Sequence, residues 1–165
     1  MLRVTIIAFL SCITCAEEIS NISDSARVPS KYLAFGVMTY QKREHSPELT
    51  IHAFLLLMSK LYDPSHLYVL HVDVKSDNDV HKNISEYCFS KPNCVMISPR
   101  NVAWAGLTTG EMMFALMQKA LETSINWSSF VFVGHESMLL TSVSYIEDYM
   151  ASFSNQTNFI NCWEV

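Results

Sequence analysis

Hydrophobic residues along this chain fall into two alternating textures: short runs in which nearly every position is apolar, and longer stretches in which apolar positions recur every three or four residues. Residues 32–40, Tyr-Leu-Ala-Phe-Gly-Val-Met-Thr-Tyr, form the first run. Its β-leaning composition and its abrupt end in the charged stretch 41–45 predict a buried strand. Ser46-Pro47 then supplies a cap and a first-turn proline for a helix. That helix carries Ile51, Phe54, Leu55, Met58 and Leu61 on one face at helical spacing. Asp63-Pro64-Ser65 breaks it, and residues 66–72 read as a second strand ending in Asp73-Val74-Lys75.

The polar residues 76–92 hold a short helix from about Val80 to Phe89, and residues 94–97 read as a brief third strand. Thr108-Thr109-Gly110-Glu111 has the form of a capping box. The helix it opens shows a buried stripe of Met113, Leu116, Met117, Ala120 and Leu121. A fully apolar strand follows at 130–134. Ser144-Tyr145-Ile146-Glu147 caps a further helix with Ile146, Tyr149, Met150 and Phe153 on one side, before Phe159-Ile160 starts another strand.

Continuous apolar strands separated by amphipathic helices describe an α/β fold, a mostly parallel sheet with helices on both faces. Strand–helix–strand units of this length join parallel neighbours through a right-handed crossover. In such sheets ligands collect beyond the carboxyl ends of the strands. The stretches to examine are therefore residues 39–42, 71–75, 100–106 and 134–138.

Composition changes this picture in one main respect, the compartment. Residues 1–16 have one arginine, a short apolar run and small residues around Cys15, the layout of a signal peptide cleaved after Ala16. The run is shorter than the ~20 apolar residues of a bilayer span, although an uncleaved signal would tether the chain to a membrane. Residues 17–30 form a polar, flexible lead-in, and 31–165 the start of a catalytic domain. Four sequons, at Asn21, Asn83, Asn126 and Asn155, agree with the lumen of the endoplasmic reticulum or Golgi, or the exterior. After signal removal Cys88, Cys94 and Cys162 remain, an odd set for an oxidising compartment. Cys88 and Cys94 are close enough in sequence to bridge, and three buried thiols is the equal alternative. A formal net charge of -5 and the lack of a basic patch argue against nucleic acid as a partner.

Several residues could carry chemistry. Asp73 and Lys75 alternate onto one face at a strand end, where a carboxylate can accept hydrogen bonds from a nucleoside and an ammonium can offset phosphate charge. An ordinary surface ion pair is the plainer reading. Asp77-Asn78-Asp79 has the Asp-x-Asp form that holds divalent ions, but it lies in a polar loop where a solvated charge run is commoner. An EF-hand is excluded, because Lys75 and Ile84 stand at ligand positions and the loop glycine is missing. Gly134-His135-Glu136-Ser137 lacks the Gly-x-Ser-x-Gly elbow of a serine hydrolase.

Taken in order, residues 70–75 (Leu-His-Val-Asp-Val-Lys), 102–106 (Val-Ala-Trp-Ala-Gly), Trp127 before the strand at 130–133, residues 142–153, and Asn158-Phe159-Ile160 resemble the xylosyltransferase and core-2/I-branching N-acetylglucosaminyltransferase group. The resemblance covers roughly residues 32–162. Trp104-Ala105-Gly106 is closer to the Trp-Gly-Gly of the xylosyltransferase-like branch. The resemblance implies a GT-A-like fold and an inverting transfer of xylose or N-acetylglucosamine from a UDP-sugar to a hydroxyl of a glycan or glycoprotein acceptor, with no metal required. It places Val37, Asp73 and Lys75 on the donor-nucleotide side and Trp104, Glu136 and Ser137 on the pocket and acceptor side. It also implies that the catalytic base and the basic residues facing the diphosphate lie beyond Val165, so that the chain is an amino-terminal portion. Where the family has a Ser-Gly-x-Asp-Tyr-Pro-like turn, this chain has Gly134-His135-Glu136-Ser137-Met138-Leu139, with Glu136 able to stand in for the acid. The rival expectation is a non-catalytic secreted binding module or an inactive transferase fragment.

Overall fold

A computed structural model describes residues 32–103 and 106–153. The expected signal and lead-in segments, Trp104, Cys162, the strand expected at Phe159-Ile160, and the sequons at Asn21 and Asn155 lie outside the described residues. The elements run β1 (Leu33–Thr39), α1 (Pro47–Leu61), β2 (Leu67–Val72), α2 (Asn78–Phe89), β3 (Cys94–Met96), α3 (Leu107–Glu122), β4 (Ser129–Gly134) and α4 (Val143–Ala151). The strands form one sheet in the order β3-β2-β1-β4, and every pairing is parallel. This is the α/β class expected from the alternation of apolar runs and amphipathic segments, and it is consistent with the GT-A-like fold that the resemblance implies.

The continuous hydrophobicity of β1 follows from its place. It pairs with β2 on one side and β4 on the other, with Val37 opposite both Leu70 and Val133. Alternate side chains therefore enter two separate cores. Phe35 and Val37 pack with Phe54 and Met58 of α1, Ile84 of α2 and Ile146 of α4. Ala34 and Met38 face the other way, toward Met112, Leu116 and Ala120 of α3 and toward Trp127 and Phe130. Gly36 belongs to this second face, where a Cβ would overlap the Phe130 ring and press on Leu116. The missing side chain is what lets that ring lie across the sheet centre.

Four local expectations are corrected. In α1, Leu55 points outward and Thr50 and Leu57 are buried instead. In α2, the Asp77 side chain accepts the Asp79 amide, so the helix begins at Asn78 rather than near Val80. The capping box expected at Thr108 does not form. Helix α3 starts at Leu107 with Gly106 as a cap lacking a side-chain bond, and the Thr108 and Thr109 hydroxyls turn back to the Ala103 backbone. Met112, not Met113, lies in the core, and Leu121 is left outside. In α4, Ser142 rather than Ser144 caps the helix, accepting the Tyr145 amide at 3.2 Å, and Tyr149 is exposed.

Cys88 and Cys94 are joined in a disulfide that fastens the last turn of α2 to the first residue of β3. The amino-terminal edge of the sheet is closed by side chains. Asn93 donates to the carbonyl of His66, Tyr68 donates to that of Leu61, and the His66 imidazole accepts the Leu33 amide. The loops at the opposite, carboxyl edge carry the charged and polar groups considered next.

Candidate functional site

Two clusters form at the carboxyl edge. The first surrounds the end of β2. Asp73 is 2% exposed, although it bears a charge. Its backbone amide continues the sheet by donating to the Thr39 carbonyl at 2.8 Å. One carboxylate oxygen accepts the Lys75 amide at 2.9 Å, and the other accepts the Val102 amide at 3.1 Å. The Lys75 ammonium lies 3.1 Å from the same second oxygen and donates to Asn101 Oδ1 and to the Val102 carbonyl, both at 2.7 Å. An ammonium has three N–H groups, and here three acceptors meet them.

His71 belongs to the same clasp. Its Nε2 accepts the Arg100 amide at 3.1 Å, while the Arg100 carbonyl receives the Val74 amide. Burial pushes the imidazole down to about 4, outweighing the nearby Asp73 carboxylate. A neutral ring is what this geometry requires, since Nε2 must keep a lone pair for the amide. Residues 71–75 thus hold residues 100–102, the approach to α3, in one position. Asp73 and Lys75 are more than an ordinary surface pair, and a ligand arriving here would meet polar groups already engaged with one another.

The second cluster spans the gap between β1 and β4. From β1 the chain crosses to β2 and β3 on one side, whereas β4 lies on the other side. The gap is therefore the point where strand order reverses, the place at which open α/β sheets receive ligands. Glu136, just past β4, accepts the Tyr40 hydroxyl at 3.1 Å, and Lys42 Nζ lies 3.0 Å from the same oxygen, Oε2. The other oxygen, Oε1, has only His45 Nδ1 near it among the described residues, at 3.7 Å. Partial burial works against the charged carboxyl, but the bonds from Lys42 and Tyr40 prevail and hold it below its ordinary range.

Beneath this cluster lies His135, 1% exposed, with its ring set edge-on to Tyr40 at 5.0 Å and its amide donating to Met38. Burial lowers its imidazole to about 4. His135 Nδ1 and the neighbouring Thr39 Oγ1 are buried and lack a hydrogen-bond partner among the described residues.

The remaining sequence candidates divide as follows. Val37 is wholly buried in the core, so its side chain shapes the strand rather than touching a ligand. Ser137 closes the turn after β4 through its amide bond to the Gly134 carbonyl. Asp77 caps α2 and takes the Gln41 side-chain oxygen on its own amide, which ties the β1 and β2 loops together. Among the described residues, no three His, Cys, Asp or Glu side chains gather as a metal site. Tyr40, Lys42 and His45 are site residues that sequence reasoning left without a role. Tyr40 and Lys42 stood in a strand-end stretch marked for scrutiny, but nothing in the sequence paired them with Glu136, since Tyr40 lies 96 positions from it.

The model of the Core-2/I-Branching enzyme family matches residues 34–164, a span running from within β1 past the end of α4. The chain belongs to the core-2/I-branching enzyme family. A search of curated proteins returns no match. Membership in the branching-enzyme family makes the chain a glycosyltransferase by class. Both clusters at the carboxyl edge fall inside the span that matches the branching-enzyme model.

Proposed function

We propose that the chain supplies the donor-nucleotide half of an inverting transferase, which moves a sugar from a UDP-sugar to a hydroxyl of a glycan or protein acceptor. The observation that carries this reading is the open carboxyl edge at the reversal point of strand order, flanked by the Asp73–Lys75 turn on one side and Glu136 on the other. The nucleotide packs against the clasped turn at the end of β2, whose polar groups are preorganised by their mutual bonds. Glu136 and Ser137 lie on the pocket and acceptor side.

Inversion needs one in-line displacement: a carboxylate takes the proton of the attacking hydroxyl as the sugar–phosphate bond breaks and UDP departs. Asp73 is a poor choice for that base, because both its oxygens already accept hydrogen bonds. Positive side chains near the leaving diphosphate stabilise its charge, and the proposal includes no metal. The secretory lumen is the proposed location, supported by the disulfide and by the exposed sequons at Asn83 and Asn126.

Calorimetry of UDP binding, repeated with chelator, tests the reading. Saturable binding that survives chelation is expected. Absence of UDP binding would favour the non-catalytic secreted module instead.

A further inference from the structure

Glu136 has two unequal carboxylate oxygens. Oε2 is occupied by the Tyr40 hydroxyl and the Lys42 ammonium at 3.1 and 3.0 Å. Among the described residues Oε1 has no neighbour within hydrogen-bonding distance, since His45 Nδ1 at 3.7 Å is too far to donate well. About a third of the side chain, 32%, is open to solvent. The carboxylate is thus anchored at one end and free to accept at the other, and the anchoring groups sit on the loop after β1, the strand adjacent to β4.

Its surroundings narrow the ligand. Lys42 offsets the carboxylate charge, so the pair attracts neither strong anions nor strong cations by net charge. What remains is an ionised acceptor oxygen beside an ammonium with unused N–H groups and the half-buried ring of Tyr40. Charge-assisted bonds to hydroxyl donors are short and strong, and a polyol offers both the donors for Oε1 and the acceptors for Lys42. The buried Thr39 Oγ1 and His135 Nδ1, unpartnered among the described residues, give the same strand ends further polar capacity. Native proteins leave few such atoms.

We propose that Glu136 is the hydroxyl-recognition residue of this crevice, accepting a sugar hydroxyl through Oε1, with Tyr40 and Lys42 as the positioning residues that fix its orientation. This inference rests on the donor-site reading above and names what the β1–β4 gap binds. Two sugars could present that hydroxyl, the ribose of the nucleotide or a ring of the acceptor, and the test separates them.

Full-length protein and its Glu136→Gln and Tyr40→Phe variants are titrated calorimetrically with UDP and with 2′-deoxy- and 3′-deoxy-UDP. Saturation-transfer NMR then measures the binding of methyl β-galactopyranoside and methyl β-xylopyranoside. If Glu136 reads ribose, the parent loses roughly tenfold or more in affinity for one deoxy nucleotide, and Glu136→Gln no longer makes that distinction. If it reads the acceptor, UDP affinity is unchanged in Glu136→Gln while the saccharide signal falls. Tyr40→Phe, which removes only the anchoring hydroxyl, shows the same pattern more weakly. Parent-like binding of both nucleotide and saccharides by Glu136→Gln overturns the proposal. A parent that fails to bind UDP overturns the donor-site reading, and this proposal then stands only if saccharide binding is present and is lost in Glu136→Gln.

Discussion

The carboxylate of Asp73 accepts the backbone amide of Val102 at 3.1 Å, bridging 29 positions of sequence between the end of β2 and the approach to α3. An aspartate expected to face a nucleotide is therefore also the fastening of a loop. The two roles are compatible, because a clasped loop offers a ligand an edge that needs no ordering on binding. They do change what a substitution reports.

Replacing Asp73 with Ala should weaken UDP binding roughly ten- to a hundredfold, and should also destabilise the fold by about 2–4 kcal/mol, since the buried Val102 amide and the partly buried Lys75 amide lose a charged acceptor. Lys75→Ala should weaken binding less. Urea unfolding and UDP calorimetry on the same preparations check this. A fully stable Asp73→Ala protein would show that the clasp contributes nothing.

Gly36→Ala should destabilise by about 1–3 kcal/mol, the usual cost of overpacking a close-packed core. The added Cβ meets the Phe130 ring at the centre of the sheet. Combining it with Phe130→Leu should recover part of the loss, measured as a shift in the urea midpoint. No recovery would mean that the contact is not the source of the cost.

Reducing the Cys88–Cys94 disulfide should cost about 2 kcal/mol, the loop-closure value for so short a loop. The comparison is between unfolding with and without reductant, and between parent and Cys88→Ser. The effect should concentrate on α2 and β3, as loss of hydrogen-exchange protection there.

Acid should destabilise the protein well before its carboxylates titrate. His71 and His135 are pushed by burial down to about 4 in the folded state. In the unfolded chain they titrate near ~6.5. Above that pH both states are neutral and the groups have no effect. Between the two values the unfolded state binds more protons, so stability falls as pH falls, by up to about 1.4 kcal/mol per pH unit for each histidine. Unfolding free energies measured from pH 7.5 to 4 should show this slope, and NMR should find both rings neutral at pH 6.

Expression in eukaryotic cells should yield N-glycans on at least one of Asn83, Asn126 and Asn155, the first two being exposed. Enzymatic removal should raise gel mobility. Asn→Gln changes at each sequon would identify the occupied position.

Much of the architecture was readable in the amino-acid order, for a physical reason. A strand covered on both faces must be apolar along nearly its whole length, and β1, β2 and β4 are, with Thr39, His71 and Ser129 the polar exceptions near their ends; a helix lying on a sheet needs only a stripe, and α1, α3 and α4 show one. Periodicity averages over many residues, so the elements survive errors at single positions. Helix starts do not average. Ser142 and Ser144 are equally good caps in isolation, as are several choices around Gly106 and Thr108. The direction in which the chain enters the helix selects among them, as when the Thr108 and Thr109 hydroxyls turn to Ala103 instead.

The site was legible only as a set of loops. That ligands gather beyond the strand ends follows from the α/β pattern, and Asp73 and Glu136 stood out there by charge. Which loops meet is a matter of strand order, which no local pattern encodes. Only the placement of β4 beside β1 brings Glu136 to Tyr40 and Lys42, and only the return of residues 100–102 over the end of β2 turns Asp73 from an exposed charge into a buried one. Such contacts depend on the long-range packing of the two cores, so the chemistry of each carboxylate was decided by the tertiary structure alone.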